Sequence, residues 1–281
     1  MMKIAVLLTV FNRREVTLRG LKSLYKAIDY LGEGYQFDIY MTDDGCTDGT
    51  SDAVKKELPD VKIIHDKGNL FWNGGMRKAW QVAIDSGIYY DFYLWYNDDV
   101  CLFESALWNI IQSAKKHKGA IMVGSMCNED MPRKVTYGGR DNHEELITPD
   151  NKECILCDTF NGNLVLIPES VSRKIGINDC HFRHSLGDYD YGYRASKYGL
   201  NIYVIPEYQG ICNRHSKPPI WCDNTMSLKK RIMNYYSPLG NAPKEHFYFD
   251  KKHKGLGIAI LHLFSNHMRL FFPILWNGKS F

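Results

Sequence analysis

The stretch Phe92-Tyr93-Leu94-Trp95-Tyr96-Asn97-Asp98-Asp99 runs from five bulky apolar or aromatic side chains straight into three oxygen-bearing ones. A short continuous apolar run is the pattern of a strand buried on both faces, and its abrupt polar end marks where the chain leaves the core. Residues 4–10, 37–42 and 61–65 upstream have the same character. Amphipathic segments separate them: residues 15–31, with Val16, Leu18, Leu21, Leu24, Tyr25 and Ile28 broadly on one face, a short segment at 52–58, and a third that begins near Gly75 and carries Trp80, Ala83 and Ile84. The order β-α-β-α-β-α-β predicts a mostly parallel α/β sheet with helices on both faces and ligands at the carboxyl ends of the strands. Asn12, Asp43 and Asp98 all stand at such ends.

Helical spacing recurs over 104–118 and 188–198, and strand patterning over 120–124, 164–167 and 202–205, with a charged and less regular region at 127–158. After Pro218-Pro219 the composition shifts. Residues 227–236 read as a basic amphipathic helix and 256–276 as a longer apolar one, interrupted by His262, Asn266, His267 and Arg269. The expected organisation is a catalytic or binding domain at 1–222 with a C-terminal helical extension at 223–281. Phe264, Leu270, Phe271, Phe272 and Trp276 either pack on a core or lie on a membrane surface.

A chain of 281 residues with 44% hydrophobic side chains can fill a sizeable core. Its formal charge of +3 is too small to suggest a nucleic-acid binder on bulk electrostatics, and any basic patch must be local. The eight cysteines are scattered and read as reduced cytosolic thiols; Cys154 and Cys157 form a lone C-x-x-C, half the ligand set of a structural zinc. The first apolar run is broken at once by Asn12, Arg13 and Arg14 and shows no cleavage signal, and no stretch reaches the roughly 18 apolar residues of a spanning helix. A cytoplasmic protein is expected.

Several polar groups could carry chemistry. Asp43-Asp44, in a loop of small turn formers, could serve ordinary turn bonding or face a cleft and accept a base imide or ribose hydroxyls. Asn97 and Asp99, two apart, would share a face if the segment stays extended, and such oxygens suit a hard divalent ion. The alternative is a helix cap. His215 is a lone loop histidine that a diphosphate-bound Mn²⁺ could accept. Asp188, at the mouth of a helix, could cap it or take a proton from a hydroxyl, and Asp190 is spaced to pair with Arg194. In residues 68–77, Gly74-Gly75 would let backbone approach a phosphate at a helix start, with Phe71 and Trp72 beside it.

Leu8-Thr9-Val10-Phe11-Asn12-Arg13, the Thr42 to Thr50 segment, Asn97-Asp98-Asp99 and Gly187-Asp188-Tyr189-Asp190, in this order, resemble the family 2 glycosyltransferases, with their Rossmann-like nucleotide-binding GT-A fold. The likeness spans roughly residues 3–220, and the subgroup looks like the rhamnosyltransferase-like enzymes of bacterial surface polysaccharide assembly. The resemblance implies an inverting, metal-dependent transferase that moves a sugar from a UDP- or dTDP-sugar to a hydroxyl of a saccharide or lipid-linked saccharide. It implies that Thr9, Asn12, Asp43 and Asp44 hold the nucleoside, and that Asn69, Trp72, Asn73 and Asp98 line the nucleotide-sugar side. Asn97 and Asp99 take the positions of the family's metal-binding Asp-x-Asp, for Mn²⁺ or Mg²⁺, with His215 as third ligand. Asp188 matches the general base. Two positions depart from the pattern: Asn97 is a neutral ligand, and Gly187 stands where the family has glutamate. Phe160-Asn161-Gly162-Asn163 lies where the resemblance implies an acceptor-side loop, and Trp221 could stack on a sugar ring; the alternative for either is plain core or loop.

Rival readings fit less well. A sugar nucleotidyltransferase needs a glycine-rich loop after its first strand, and Phe11-Asn12-Arg13-Arg14 has no glycine. A glycoside hydrolase needs two opposed carboxylates, which this alternation does not suggest. A binding protein that lost turnover is favoured by Asn97 and Gly187 and opposed by Asp99 and Asp188.

Overall fold

The computed structural model describes residues 1–131, 134–214 and 219–276. The chain forms two units, Met1–Cys180 with Asp188–Arg214, and His181–Gly187 with His215–Phe281.

The first unit begins β1 (Met2–Val10), α1 (Arg14–Leu31), β2 (Tyr35–Asp43), α2 (Thr50–Glu57), β3 (Lys62–His65), α3 (Phe71–Asp85) and β4 (Phe92–Tyr96). It continues through β5 (Cys101–Leu102), α4 (Ala106–Lys116), β6 (Ile121–Cys127), β7 (Val135–Tyr137), β8 (Gly139–Arg140), β9 (Ile155–Leu156), β10 (Thr159–Phe160) and β11 (Leu164–Pro168). It closes with α5 (Glu169–Ile175), α6 (Gly187–Lys197) and β12 (Ile202–Ile211). Neighbouring strands follow the order β3-β2-β1-β4-β11-β6-β12-β5. The run β3-β2-β1-β4 is parallel, β11 is antiparallel to both β4 and β6, and β12 is again parallel to β6.

Period-two alternation explains why this sheet needs cover on both faces. Ile4, Val6, Leu8 and Val10 of β1 join one core cluster with Leu21 and Leu24 of α1 and Ile110 of α4. Ala5 and Leu7 join the other, with Met76 and Trp80 of α3 and Tyr191 of α6. A single strand thus feeds two cores, and all six of these β1 side chains are at most 2% exposed. Because β1 pairs with β2 on one side and β4 on the other, the strand order reverses there, and a crevice opens at the carboxyl ends of these strands.

The mostly parallel sheet and flanking helices are those expected from the alternation. Three local departures have physical causes. Helix α3 starts at Phe71, before the glycines rather than at them. Strand β12 continues to Ile211 past Pro206, through a register shift between Val204 and Tyr208 with Glu207 at φ 62°. A proline that ends a regular strand is tolerated at such a bulge. The region 127–158 holds the short strands β7, β8 and β9, whose pattern is too brief to read.

In the second unit α7 (Leu228–Tyr235), α8 (Pro243–His253) and α9 (Leu256–Phe271) follow one another. Ser227 caps α7 through a bond from the Lys230 amide. Trp221 is not an open stacking platform: it is 6% exposed, in a small core with Cys222, Tyr235 and Leu270. Among the described residues, no helix is long and apolar enough to cross a membrane.

Candidate active site

The loops after β1, β2 and β4 converge in the crevice, and each polar side chain there can be traced to what holds it. Asn12, at φ 50°, accepts the Thr47 amide on Oδ1 at 2.7 Å, tying the loop after β1 to the loop after β2. Asp43 accepts the Cys46 amide at 2.6 Å and the Ser51 hydroxyl, with His65 Nδ1 3.3 Å away. Burial would raise its pKa, but those two bonds and the imidazole outweigh it and hold the carboxyl below its ordinary value. Asp43 is therefore an anion at neutral pH.

Asp44 has a different task. Its two oxygens accept the amides of Leu70 (3.0 Å) and Phe71 (2.8 Å), so it caps α3 from another loop. Phe71 sits at φ 56°, a costly conformation for a bulky residue, and the two bonds help to keep it there. The helix start proposed as a phosphate cradle is thus already occupied by a carboxylate. Gly75 serves packing: a Cβ at this position would lie 2.1 Å from Thr9 Oγ1, so only glycine lets α3 approach β1 this closely. Replacing Asp44 with Ala should cost about 1–2 kcal/mol in urea unfolding, the worth of a lost helix cap; unchanged stability would mean that the α3 amides are satisfied without it.

Asn73 and Asp98 also face inward. Asn73 is fully buried and donates to the Asp179 carbonyl at 2.8 Å, while its own Oδ1 accepts from Asn178 at 2.7 Å. Asp98, 1% exposed, accepts from Arg13 and from the Thr17 hydroxyl at 2.9 Å. Burial pushes its carboxyl up to about 6 against the pull of Arg13. Asn69 is exposed at φ 77°, beside the start of α3.

Asn97 and Asp99 do not lie on one face of an extended strand. The chain turns at Asp98-Asp99, the Val100 amide bonding back to the Asn97 carbonyl at 3.2 Å. Asn97 Oδ1 accepts the Trp72 indole N–H at 2.7 Å. Asp99, with its side chain 32% exposed, accepts Arg13 on Oδ2 at 3.1 Å and the Cys212 thiol on Oδ1 at 3.6 Å. Burial pushes the Cys212 thiol far up, so it stays protonated. His215 lies outside the described residues. The donor set fits a weakly held hard cation: Asp99 Oδ1 has only a long thiol contact, and Asn97 Oδ1 keeps its second lone pair.

Asp188 stands in the first turn of α6. Its Oδ2 accepts the Gly162 amide at 3.1 Å and its Oδ1 the Tyr189 amide at 2.9 Å. Burial raises the carboxyl above its ordinary value, more than the amides and the nearby Arg140 lower it. Gly162 joins this carboxylate to the Asn97 side. A Cβ there would lie 2.5 Å from the Trp72 ring, and the next residue, Asn163, accepts the Asn97 amide on its carbonyl at 3.1 Å. Asn161 accepts Arg140 Nε at 3.1 Å. The neighbouring Asp190 is fully buried and pairs with Arg194 at 2.8 Å, as its spacing suggests.

Sequence reasoning passed over Arg13, Arg140 and Cys212. Arg13 had a signal: a cation at one strand end complements the paired carboxylates at another. Arg140 and Cys212 had none, being brought in by β8 and β12. A cavity of about 880 Å³ runs along α1 between Arg19, Lys22, Glu57 and Glu104, and holds none of these groups.

The family model described as Glycosyl transferase family 2 matches residues 5–165. No curated protein matches the chain in sequence. Among solved structures, S. aureus TarS 1-349 superposes with a TM-score of 0.57 at 14% identity, over 99% of this chain and 73% of that one. The same protein in complex with UDP gives 0.55 at 16% identity, over 89% and 73%. The mannosyltransferase PcManGT from Pyrobaculum calidifontis, in complex with GDP-Man and Mn²⁺, gives 0.52 at 14% identity, over 99% and 76%. At these identities the likeness speaks for the fold.

Proposed function

Since this chain belongs to glycosyl transferase family 2, we propose that it transfers a sugar, with inversion, from a UDP- or dTDP-sugar to a hydroxyl of a saccharide or lipid-linked saccharide. Bacterial surface polysaccharide or glycolipid synthesis at the cytoplasmic face of the membrane is the setting we infer, with a rhamnosyltransferase-like donor class. The observation that carries the reading is the link through Gly162 between the Asn97 side and the raised carboxyl of Asp188.

In this reading Thr9, Asn12 and Asp43 hold the nucleoside, and Asn69 and Trp72 flank the donor. Asp44, Asn73 and Asp98 act through the walls they fasten. Asp99 and Asn97, with His215, would hold Mn²⁺ or Mg²⁺, whose chemistry is to neutralise the charge growing on the departing diphosphate. Asp188 takes the proton of the acceptor hydroxyl as its oxygen bonds to the anomeric carbon. The bond to the diphosphate oxygen breaks, and the nucleoside diphosphate leaves with that electron pair. One displacement inverts the centre and needs no protein nucleophile.

Thermal melting with UDP, dTDP, GDP and CDP, each with and without Mn²⁺, tests the donor class. UDP or dTDP with Mn²⁺ should stabilise the fold, by about 2.7 kcal/mol when the ligand is at 100 times its dissociation constant. Stabilisation by GDP or CDP alone would name another donor, and no response to any nucleotide would defeat the reading.

A further inference from the structure

We propose that the second unit docks on an anionic lipid surface through the outer face of α9. The helix buries Ala259 and Leu270 but leaves a row of its large apolar side chains uncovered. Leu256, Ile260, Leu261, Phe264 and Phe271 fall within one arc of the helical wheel and are between 49% and 66% exposed. Several polar side chains of the helix are only partly exposed and are engaged within the unit. His262 Nδ1 lies 2.9 Å from Asp250, His267 Nδ1 lies 3.0 Å from the Tyr235 hydroxyl, and the Arg269 guanidinium lies 5.8 Å from the Trp221 ring centre. A water-facing helix gains nothing from this arrangement, since it leaves several large apolar side chains on one side uncovered.

Charge points to the kind of surface that covers it. Residues 181–187 and 215–281 carry 11 Lys and Arg against 3 Asp and Glu, whereas the rest of the chain carries 24 against 29. The unit that bears this row is therefore net positive by 8, while the rest of the chain is net negative by 5. Lys229 and Lys230 of α7 and Lys244 and Lys251 of α8 are exposed. An apolar pocket of about 390 Å³ among Tyr236, Pro243, Phe247 and Leu263 opens beside the helix, with Lys244 in its wall. An exposed apolar face set in a basic unit suits negatively charged headgroups over a hydrocarbon layer. The helix lies on this layer rather than crossing it: 16 residues extend about 24 Å, against roughly 30 Å of hydrocarbon.

The test is co-sedimentation of the full chain with phosphatidylcholine vesicles, with and without phosphatidylglycerol. Binding should require phosphatidylglycerol and weaken at high salt. Ile260→Ser combined with Phe264→Ser should reduce the partition coefficient at least about tenfold, since each removes an inserted side chain. Lys229→Glu with Lys230→Glu should reduce it on phosphatidylglycerol vesicles alone. Both side chains of the first pair are more than half exposed, so melting temperature should be unchanged, which separates lost binding from lost folding. Failure of the intact chain to bind, or binding indifferent to the Ile260 and Phe264 pair, overturns the proposal. So does a concentration-dependent dimer that this pair dissociates, which would make a second copy the cover. The readout is lipid binding, so the result stands apart from the sugar-transfer reading.

Discussion

Asp188→Asn is expected to lower sugar transfer by about 10²- to 10⁴-fold, the usual worth of a general base, while nucleotide affinity measured by calorimetry stays unchanged. The amide keeps the size of the side chain, and its oxygen can still accept one of the two amides, Gly162 or Tyr189, that hold the carboxylate now. What it loses is the capacity to take a proton. Burial raises the native carboxyl above its ordinary value, so transfer should rise with pH as Asp188 ionises, at a pH above that of a solvated aspartate. The residual rate of the variant should lack this limb. Transfer that persists in Asp188→Asn, or a nucleotide affinity that falls with it, would remove Asp188 from the role of base.

Arg13→Met is expected to destabilise the fold by about 2 kcal/mol in urea unfolding. Breaking a fully buried ion pair from one side costs about 3–5 kcal/mol, because the remaining charge is left without a partner. Asp98 has almost no exposed surface, but the Arg13 side chain is 44% exposed, so solvent screens part of the interaction and the smaller figure applies. Asp98→Asn in the same background should recover part of the loss by removing the stranded charge. If Arg13→Met were neutral, the guanidinium would be a surface ornament, and the link it makes between the loops after β1 and β4 would have no energetic content.

These two residues show how differently parts of the site could be read in advance. Asp188 stood out because its place at a helix mouth and its match to a family motif agreed, and the structure adds the Gly162 contact. Arg13 was visible as a letter in a motif but not as a partner, since Asp98 and Asp99 are more than 80 residues away in the chain. Asp44 and Asn73 carried no mark to distinguish a carboxylate that caps a distant helix from one that faces a ligand. The turn at Asp98-Asp99 escaped because an apolar strand gives no sign of whether its polar end stays extended.

Residue patterning alone determined the alternation of strands and helices, the burial of β1 and β4 on both faces, the carboxyl-end location of the candidate site and the change of character after residue 218. These follow from periods of 2 and 3.6 residues, which are local properties of the chain. Tertiary structure alone decided which oxygens remain for chemistry. Asp44 is taken by two α3 amides, Asp98 by Arg13 and Thr17, and Asn97 in part by Trp72, whereas Asp99 keeps an oxygen with only a thiol near it. It also decided that His262 and His267 of α9 are bonded within the second unit while Ile260 and Phe264 stay uncovered. A polar group is spent or available according to which donors the fold brings within 3 Å, and those donors come from segments that no local pattern connects.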